Sequence, residues 1–565
     1  MTAVADGVRQ AMGAILPDPE NISTANQGID SMKPLEADSH WDLIVIGGGV
    51  TGAGIFSEAV RMGLRVLLVE KHDFAWGTSS RSSKMVHGGL RYLKEGKPLL
   101  TRASVKERQR LLAEAPGLVD PLGFLLPVFT DFGPSKRVMG LGLALYSLMA
   151  LEKQHRAYDA AGISTRIPGL RQKNLSGGFY FKDAQVDDAR LVLRLINEAV
   201  AAGGTAKNYT AAQEIIRDQQ GRVAAVAIRE LETGQSAELR TNAVINATGA
   251  WAETLHPSPR HGLHLRPLRG SHLIFPRTAF PADHVVSFMH PADKRPVFMF
   301  PWEEVAILGT TDVDHAGDLD IDPAITPAEA DYLIEGINFI MPERPFSKSD
   351  AFASIAGVRP VLSRGKADPS HESREHVVWE NQGLVTVTGG KLTTFRLLAR
   401  DAIKAAADYL PHCALPPDQT PVFNAPAENS GLPDLSSPAA RQRLYGRYGR
   451  QADIILDFCR KHTHECIPKT NILWAEIAFA AAHEQVHHLT DLLLRRVRLG
   501  LLAPEGGRRH LDAIGDICRP ALGWDNDRWE KEKTDYLQNW RRYYGPPEKQ
   551  SINRKNSVCR CGYPE

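Results

Sequence analysis

The sequence predicts an α/β fold: a nucleotide-binding domain, strands of a second sheet between its pieces, and a helical C-terminal region. Three observations support this. A strand, a glycine turn, a helix and a second strand follow one another from Trp41. Segments typical of strands lie further along the chain, and helical periodicity dominates from Asp434.

The composition is that of a large globular protein. The chain has 565 residues, 43% of them hydrophobic, which is enough to bury two or more cores. Its 67 basic side chains nearly balance 66 acidic ones, and the net charge of +1 gives no global attraction to nucleic acid. Recognition of an anion must therefore be local.

Neither end of the sequence is typical of a folded domain. Residues 1–40 lack a long apolar run and carry several acids, which argues against a signal or transit peptide and predicts a disordered extension. All six cysteines lie in the C-terminal third without the spacing of a disulfide framework, which indicates a reducing compartment. Cys559 and Cys561, in the tail 546–565, are either a metal or redox pair or two thiols on a frayed end.

The first element of the nucleotide-binding domain is a GxGxxG turn formed by Gly47, Gly49 and Gly52. It follows the apolar run 43–46 and opens a helical pattern over 50–62. Gly47 permits the tight turn, Gly49 lets the backbone approach a pyrophosphate, and Gly52 lets the helix pack on the strand. The N-H groups at the start of the helix remain available for phosphates.

A carboxylate ends the second strand of this unit. Glu70 follows the apolar run 64–69, where a carboxylate accepts hydrogen bonds from ribose hydroxyls and repels a 2'-phosphate. We therefore expect an ADP moiety without that phosphate, a feature that NAD and FAD share.

Two later stretches bring backbone toward the same ligand. Residues 241–252 form an apolar strand that ends in Thr248 and Gly249. Residues 383–403 read as a strand, the pair Gly389 and Gly390, and a helix whose first turn carries Lys391, Thr393 and Thr394. The start of that helix predicts a second anion or oxyanion site.

Taken in order, these motifs resemble the FAD-dependent glycerol-3-phosphate dehydrogenases. The resemblance rests on "GGGVTGAGI", "GTSSRSSKMVHGGLRYL", "NATGAWA", "GTTDVD", "GVRPV" and "GGKLTTFR". It runs from Asp42 to Arg396 and continues more weakly through "DLLLRRVRLGLL" at 491–502. It implies FAD as cofactor and glycerol 3-phosphate as substrate.

The resemblance also implies a fold of the D-amino-acid-oxidase type. A Rossmann-like FAD-binding domain would be interleaved with an antiparallel-sheet substrate domain over 41–424, followed by a linker at 425–433 and a C-terminal α-helical domain at 434–545. The segments 272–276, 296–302 and 305–312 read as strands between the nucleotide-binding pieces, in agreement with this arrangement.

By the same resemblance, the cofactor contacts come from the glycine turn and four later segments. They are Gly47, Gly49, Gly52, Glu70, Thr78, Ser79, Ser80, Ser83, His87, Gly88, Thr248, Gly249, Gly390, Lys391, Leu392 and Thr393.

Oxidation of a phosphorylated secondary alcohol needs a base for the hydroxyl proton and cations for the phosphate dianion. Each of Arg91, Arg359 and Lys391 follows a glycine-containing stretch, and these three are the predicted cations. The resemblance adds Arg374 as a phosphate contact and Tyr92 as a hydrogen-bond donor or pocket wall.

Two histidines are candidates for the base, and the sequence does not choose between them. His87 and His272 both qualify because imidazole titrates near neutral pH. Asp312 is expected to orient a histidine or an arginine. Arg269, just before the "GSH" of His272, is expected to assist the substrate but would be a poor base.

One motif points to a different chemistry. His483, Glu484 and His487 form HExxH, which on a helix would present two zinc ligands and a general base, with Glu505 or His510 as a conceivable third ligand. The motif lies in a run predicted to be helical from Trp474 to Leu499, and we interpret it as a coincidence.

Two segments have a surface interpretation and a core interpretation. The apolar run 138–151 is shorter than the ~20 residues of a spanning helix and is either an interfacial helix or a buried one. The basic run Arg495, Arg496 and Arg498 could meet phospholipid or a partner subunit, or could lie on a helix face that is solvated or paired within the chain.

The electron acceptor is the remaining question. The resemblance favours a quinone, and thus a peripheral protein at the inner face of the cell membrane, with a homodimer as one candidate assembly. Oxygen is the alternative acceptor. An amine or hydroxy-acid oxidase is a less favoured alternative function, because the predicted arginines exceed what one substrate carboxylate requires. A flavin-binding protein without catalysis is the alternative from another class.

Overall fold

The computed structural model describes most of the chain in several ranges. These are residues 40–90, 96, 98–149, 155–256, 264–363, 376–412, 414–425, 437–461 and 464–547. His40, predicted to end the extension, instead begins the first strand. Residues 1–39, most of the linker 425–433 and the tail from 548, with Cys559 and Cys561, lie outside the described residues.

The strands are β1 His40–Ile46, β2 Val66–Val69, β3 Met85–Val86, β4 Val119–Phe129, β5 His155–Tyr158, β6 Leu175–Val186, β7 Thr205–Lys207, β8 Thr210–Arg217, β9 Val223–Glu230, β10 Ser236–Asn246, β11 His264–Pro276, β12 Val285–Met289, β13 Pro296–Trp302, β14 Val305–Gly309, β15 Val313–Asp314, β16 Ala353–Ser363, β17 His376–Asn381 and β18 Leu384–Gly389.

The helices are α1 Val50–Arg61, α2 Pro98–Glu114, α3 Lys136–Met149, α4 Ala160–Arg166, α5 Asp188–Ala201, α6 Ala252–Leu255, α7 Pro327–Ile340, α8 Phe395–Ala405, α9 Pro438–Tyr448, α10 Ala452–Lys461, α11 Trp474–His483, α12 Leu489–Asp491, α13 Leu499–Leu502, α14 Leu511–Leu522 and α15 Asn526–Tyr543.

The first sheet is the nucleotide-binding sheet. Its strands β18, β10, β1, β2 and β7 are parallel neighbours in that order. Antiparallel β17 extends one edge, and the hairpin of β8 and β9 joins β10. Apolar residues of α1, α5 and α8 pack on one face of this sheet. The carboxyl ends of β1, β10 and β18 therefore lie side by side, as the glycine motifs predict.

The second sheet is largely antiparallel and is interleaved with the first along the chain. It contains β3–β6 and β11–β16, and its two longest pairings, β4 with β6 and β11 with β16, are both antiparallel. Helix α7 covers one face, and helices of the C-terminal region pack on other apolar residues of the sheet. The predicted fold class is confirmed, including the segments 272–276 and 296–302, and strand β14 ends at Gly309.

The C-terminal region is helical, but its helices are shorter than the sequence pattern predicts. The predicted run from Trp474 to Leu499 is wrong, because α11 ends at His483 and Gln485 takes a positive φ of 48°. The short α12 and one π-type turn at 492–496 follow.

Helix α3 contains most of the apolar run 138–151 and has features of both an interfacial helix and a buried one. Leu143 and Tyr146 are fully buried, whereas Val138, Leu141 and Leu148 are 64%, 75% and 70% exposed. An outward apolar face therefore coexists with an inward packed one. Within the described residues, no helix has the length and apolar character needed to span a membrane.

Candidate functional site

A cavity of about 1520 Å³ lies where the carboxyl ends of the nucleotide-binding strands meet the second sheet. The turns after β1, β2, β10 and β18 form one wall, and side chains of β4, β6, β13 and β16 contribute to the other. Helix α3 contributes Val138, Leu141 and Leu145. The cavity is large enough for a dinucleotide and a small substrate together.

The glycine turn has the close backbone approaches that a pyrophosphate cradle requires. Gly47 has φ of 110°, and a Cβ there would lie 2.7 Å from the carbonyl oxygen of Ala247. A Cβ on Gly52 would lie 1.8 Å from the oxygen of Gly47, so only glycine fits at this position in the first turn of α1. Gly49 and Val50, at the start of α1, line the cavity. These residues fit the phosphates of FAD.

Glu70 is held by backbone donors at the end of β2. Its carboxylate accepts hydrogen bonds from the N-H groups of Gly48 at 2.7 Å and His72 at 2.8 Å. Burial raises the pKa of Glu70, against the opposing effect of these two donors. Glu70 lines the cavity, where its carboxylate would accept hydrogen bonds from the hydroxyls of an ADP ribose.

The end of β10 forms the second cradle. The side-chain oxygen of Asn246 accepts hydrogen bonds from the backbone N-H and the hydroxyl of Thr248 at 3.3 and 2.7 Å. The hydroxyl of Thr388, on neighbouring β18, donates to the oxygen of Gly249 at 2.9 Å. Thr248 and Gly249 line the cavity as predicted.

The segment after β18 differs from its prediction in one respect. Helix α8 begins at Phe395, so Lys391 precedes a 3-10 turn at Leu392–Thr394 rather than lying in the first α-helical turn. The hydroxyl of Thr393 meets the backbone of His87, accepting from its N-H at 3.2 Å and lying 3.3 Å from its carbonyl oxygen. This contact brings His87 to the segment of Lys391, and both residues line the cavity.

Arg359 and Asp312 meet at the substrate-domain wall. Arg359 Nη1 donates to Asp312 Oδ1 at 3.1 Å, and Nη2 donates to Thr310 Oγ1 at 3.0 Å. The Asp312 side chain is only 2% exposed, whereas Arg359 is 25% exposed. Asp312 thus orients an arginine, one of the two roles considered for it.

His272 lies behind the cavity wall rather than on it. Its ring is 1% exposed, and Nε2 is 2.9 Å from the hydroxyl of Ser83, which does line the cavity. Burial lowers the pKa of His272 to about 3, and the charges of Arg359 and Lys84 add to the effect. The imidazole is therefore neutral at physiological pH, and Ser83 connects it to the cavity wall.

Most of the predicted residues that the structure describes are brought together. Those lining the cavity are Gly47, Gly49, Glu70, Thr78, Ser79, Ser83, His87, Thr248, Gly249, Asp312, Arg359, Gly390, Lys391, Leu392 and Thr393. Arg91, Tyr92 and Arg374 lie outside the described residues.

Five predicted residues do not line the cavity, among them His272 and Gly52, which packs under the turn. Arg269 pairs with Glu329 at 2.8 Å. The backbone oxygen of Ser80 accepts from buried Lys84. Gly88 packs against Tyr146, whose hydroxyl oxygen would lie 2.2 Å from an added Cβ.

The sequence-based predictions missed several cavity residues, among them Trp76, Trp251 and Arg295. Trp76 and Trp251 have ring centroids 5.9 Å apart near the Glu70 end. Arg295 lies beside Asp312, with Nη2 3.4 Å from Oδ2. The "GTSS" and "NATG" motifs could have pointed to the two tryptophans, which stand next to them, but Arg295 carries no local signal.

The HExxH motif does not form the helical zinc site that its sequence resembles. His483 ends α11 and Glu484 follows the helix, so the motif does not present one helical face. Glu484 instead makes a buried bidentate ion pair with Arg190. Within the described residues, no cluster of three or more potential metal ligands is present.

The basic run is paired within the chain. Arg496 Nη1 lies 2.5 Å from Asp73, Arg495 also binds Asp73, and Arg498 lies 3.2 Å from Asp188. The three arginines are at most 3% exposed. The prediction that these arginines contact phospholipid or a partner subunit is therefore wrong.

Comparison with known proteins agrees with this geometry. A family model described as FAD dependent oxidoreductase matches residues 42–400. A second one, described as the C-terminal domain of alpha-glycerophosphate oxidase, matches residues 400–529.

Individual relatives match over most of their length. Glycerol-3-phosphate dehydrogenase 2 of Mycobacterium tuberculosis is 35% identical over 517 residues, covering 88% of this chain and 87% of that protein. The aerobic glycerol-3-phosphate dehydrogenase of Bacillus subtilis is 31% identical, with coverages of 88% and 94%.

A solved structure shows the same architecture. The crystal structure of a glycerol-3-phosphate dehydrogenase from Bacillus halodurans, complexed with FAD, superposes with a TM-score of 0.70 at 26% identity. The match covers 92% of this chain and 98% of that one. From the cavity, the two family matches and these relatives, the chain belongs to the FAD-dependent glycerol-3-phosphate dehydrogenase family.

Proposed function

We propose that this protein oxidises sn-glycerol 3-phosphate to dihydroxyacetone phosphate and passes the electrons to a membrane quinone. The observation that carries the proposal is the meeting of Arg359, Lys391 and His87 in one cavity with the dinucleotide cradle. When bound, the flavin supplies a hydride acceptor for C2 of the substrate.

The residues of this chain would bind the substrate and manage its proton. Arg359 offers a guanidinium fork, held by Asp312, to two phosphate oxygens. Lys391 supplies a point charge near the developing alkoxide. Both roles require side chains that face the cavity, and Arg359 and Lys391 both line it.

His87 is the better candidate for the base. It lines the cavity, and its backbone is fixed by the hydroxyl of Thr393. His272 is buried and has a pKa lowered to about 3, which makes it a weak proton acceptor. We assign His272 to positioning Ser83, to which it is bonded at 2.9 Å.

Helix α3 favours the quinone over oxygen as acceptor. Its exposed Val138, Leu141 and Leu145 also line the cavity, so the apolar outer face continues into the site. Insertion of such a face into a bilayer surface is favourable because it removes apolar area from water. Arg137 on the same helix can meet anionic lipid. We propose that α3 rests on the inner leaflet and admits the quinone headgroup beside it.

Reduction of the flavin is the first test. Anaerobic addition of glycerol 3-phosphate to the purified protein should bleach the absorbance at about 450 nm. A flavin that stays oxidised with this substrate would contradict the proposed reaction.

The acceptor is tested by reoxidising that reduced protein with a short-chain ubiquinone or with dissolved oxygen. Faster reoxidation by the quinone is expected. Peroxide formed at the rate of substrate turnover would assign the protein as an oxidase instead.

The membrane contact is tested by flotation with vesicles that contain anionic phospholipid. The double substitution Leu141→Glu and Leu148→Glu should abolish flotation, because it places two charges on the outer face of α3. Ile454→Glu is the matched control, since Ile454 is 46% exposed on α10 and does not line the cavity. Equal flotation of both variants would exclude α3 as the contact.

A further inference from the structure

We propose that Arg295 is a second phosphate-binding guanidinium, which holds the substrate jointly with Arg359 across Asp312. This inference rests on the proposed function and adds to it a substrate-specificity residue. Arg295 lies on the loop between β12 and β13, far in sequence from every glycine motif.

Asp312 binds both arginines through different oxygens. Oδ1 accepts from Arg359 Nη1 at 3.1 Å, and Oδ2 lies 3.4 Å from Arg295 Nη2. Arg295 Nη1 also donates to the backbone oxygen of Asp312 at 3.1 Å. One carboxylate therefore holds two guanidinium groups beside each other.

Both guanidinium groups are presented to the cavity. They share the carboxylate of Asp312, which is 2% exposed. Arg295 is 23% exposed and Arg359 is 25% exposed, and both line the cavity. A guanidinium has five N-H donors, more than Arg295 directs at Asp312 through Nη1 and Nη2. A phosphate dianion is the part of the proposed substrate that suits two such forks.

The loop that carries Arg295 is fixed independently of its guanidinium. Asp293 Oδ1 accepts from the Arg295 N-H at 3.0 Å, and the Tyr332 hydroxyl donates to the same carboxylate. His290 stacks on Tyr332 with ring centroids 3.6 Å apart. The guanidinium is thus presented by a loop whose backbone does not depend on it, as expected of a binding residue.

The test is the substitution Arg295→Gln in the FAD-loaded full-length protein. It should raise the KM for glycerol 3-phosphate about tenfold or more and change kcat little, because a contact to the non-reacting phosphate is lost. Inhibition by inorganic phosphate should weaken by a similar factor. Arg295→Lys should restore part of both, since it keeps the charge but loses the fork.

Arg266→Gln is the matched control. Arg266 is 21% exposed, pairs with Asp314 at 2.6 Å, and does not line the cavity. It should leave the KM and phosphate inhibition as in the unsubstituted protein. If Arg295→Gln leaves both unchanged as well, the inference is wrong, and a lowered melting temperature with unchanged phosphate inhibition would assign Arg295 to structure alone.

Failure of the proposed function gives a different result. If glycerol 3-phosphate does not reduce the flavin of the unsubstituted protein, the proposed reaction is wrong. Inorganic phosphate binding, followed as a perturbation of the oxidised flavin spectrum, then still decides the role of Arg295. Phosphate binding that Arg295→Gln weakens supports the site, and binding that it leaves unchanged overturns it.

Discussion

Arg190 and Glu484 form a bidentate ion pair with neither side chain exposed. Nη1 and Nη2 of the arginine donate to the two carboxylate oxygens at 2.8 and 2.6 Å, and Asn197 donates a third bond at 2.9 Å. Arg190 belongs to α5, which packs on the nucleotide-binding sheet, and Glu484 follows α11. The pair therefore joins the nucleotide-binding domain to the C-terminal helices.

Substitution of Glu484 should destabilise the whole protein. Glu484→Ala leaves the buried guanidinium of Arg190 without its counter-charge, and breaking such a pair costs about 3–5 kcal/mol. The free energy of unfolding by urea measures the loss. Glu530→Ala on α15 is the control, because Glu530 is 66% exposed and pairs with Lys533 at the surface. An unchanged unfolding free energy, or zinc that only the unsubstituted protein retains, would contradict this interpretation.

Gly52→Ala should deprive the protein of its flavin. The added methyl would lie 1.8 Å from the carbonyl oxygen of Gly47, so the turn must open and the N-H groups at the start of α1 must move. The ratio of absorbance at about 450 nm to that at 280 nm measures flavin content. Circular dichroism reports whether the chain still folds. A folded variant with full flavin content would show that the turn tolerates a Cβ.

The pH dependence should distinguish the two histidines. The pKa of His272 is lowered to about 3, so this residue stays deprotonated from pH 5 to pH 9 and cannot produce an inflexion near neutrality. His272→Gln should lower kcat/KM by about tenfold or less, the effect of one hydrogen bond, without moving any inflexion. His87→Gln should lower kcat by about 100-fold or more, as expected for a base. An inflexion that vanishes only in His272→Gln would reverse the two assignments.

The sequence predicts what depends on neighbours in the chain. The turn from Gly47 to Gly52 and helix α1 are confirmed, because the glycine spacing and the apolar periodicity act locally. The buried ion pairs could not be predicted in the same way. Asp73 and Arg496 are 423 residues apart, and only the folded chain brings them together.

The broken helix and the missed arginine have the same cause. No glycine or proline marks the end of α11, and the next residue, Glu484, is held by Arg190 from a distant part of the chain. Arg295 is a polar residue in a hairpin loop, and its role depends on Asp312, which reaches it from after β14. In both places long-range charge pairing overrides or supplements the local pattern.

His488 provides a pH-dependent contact between the C-terminal helices and the turn that joins β9 to β10. Its Nδ1 is 3.0 Å from the buried carboxylate of Glu532, and its Nε2 is 3.3 Å from Glu232. Burial opposes protonation, but Glu532, Asp491 and Glu232 together raise the pKa of His488 to about 9.

Because the pKa of His488 in the folded state exceeds the unfolded value of 6.5, protonation stabilises the folded protein. That contribution is fully present below about pH 6.5 and is lost as the pH rises through about 9. His488→Gln should therefore lower the melting temperature at about pH 6, and the difference from the unsubstituted protein should shrink by about pH 9.5. His284→Gln serves as the control, since His284 makes a ring contact with Tyr180 at 5.4 Å. A melting-temperature difference for His488→Gln that is constant over this range would show that the imidazole acts by packing and carries no stabilising proton.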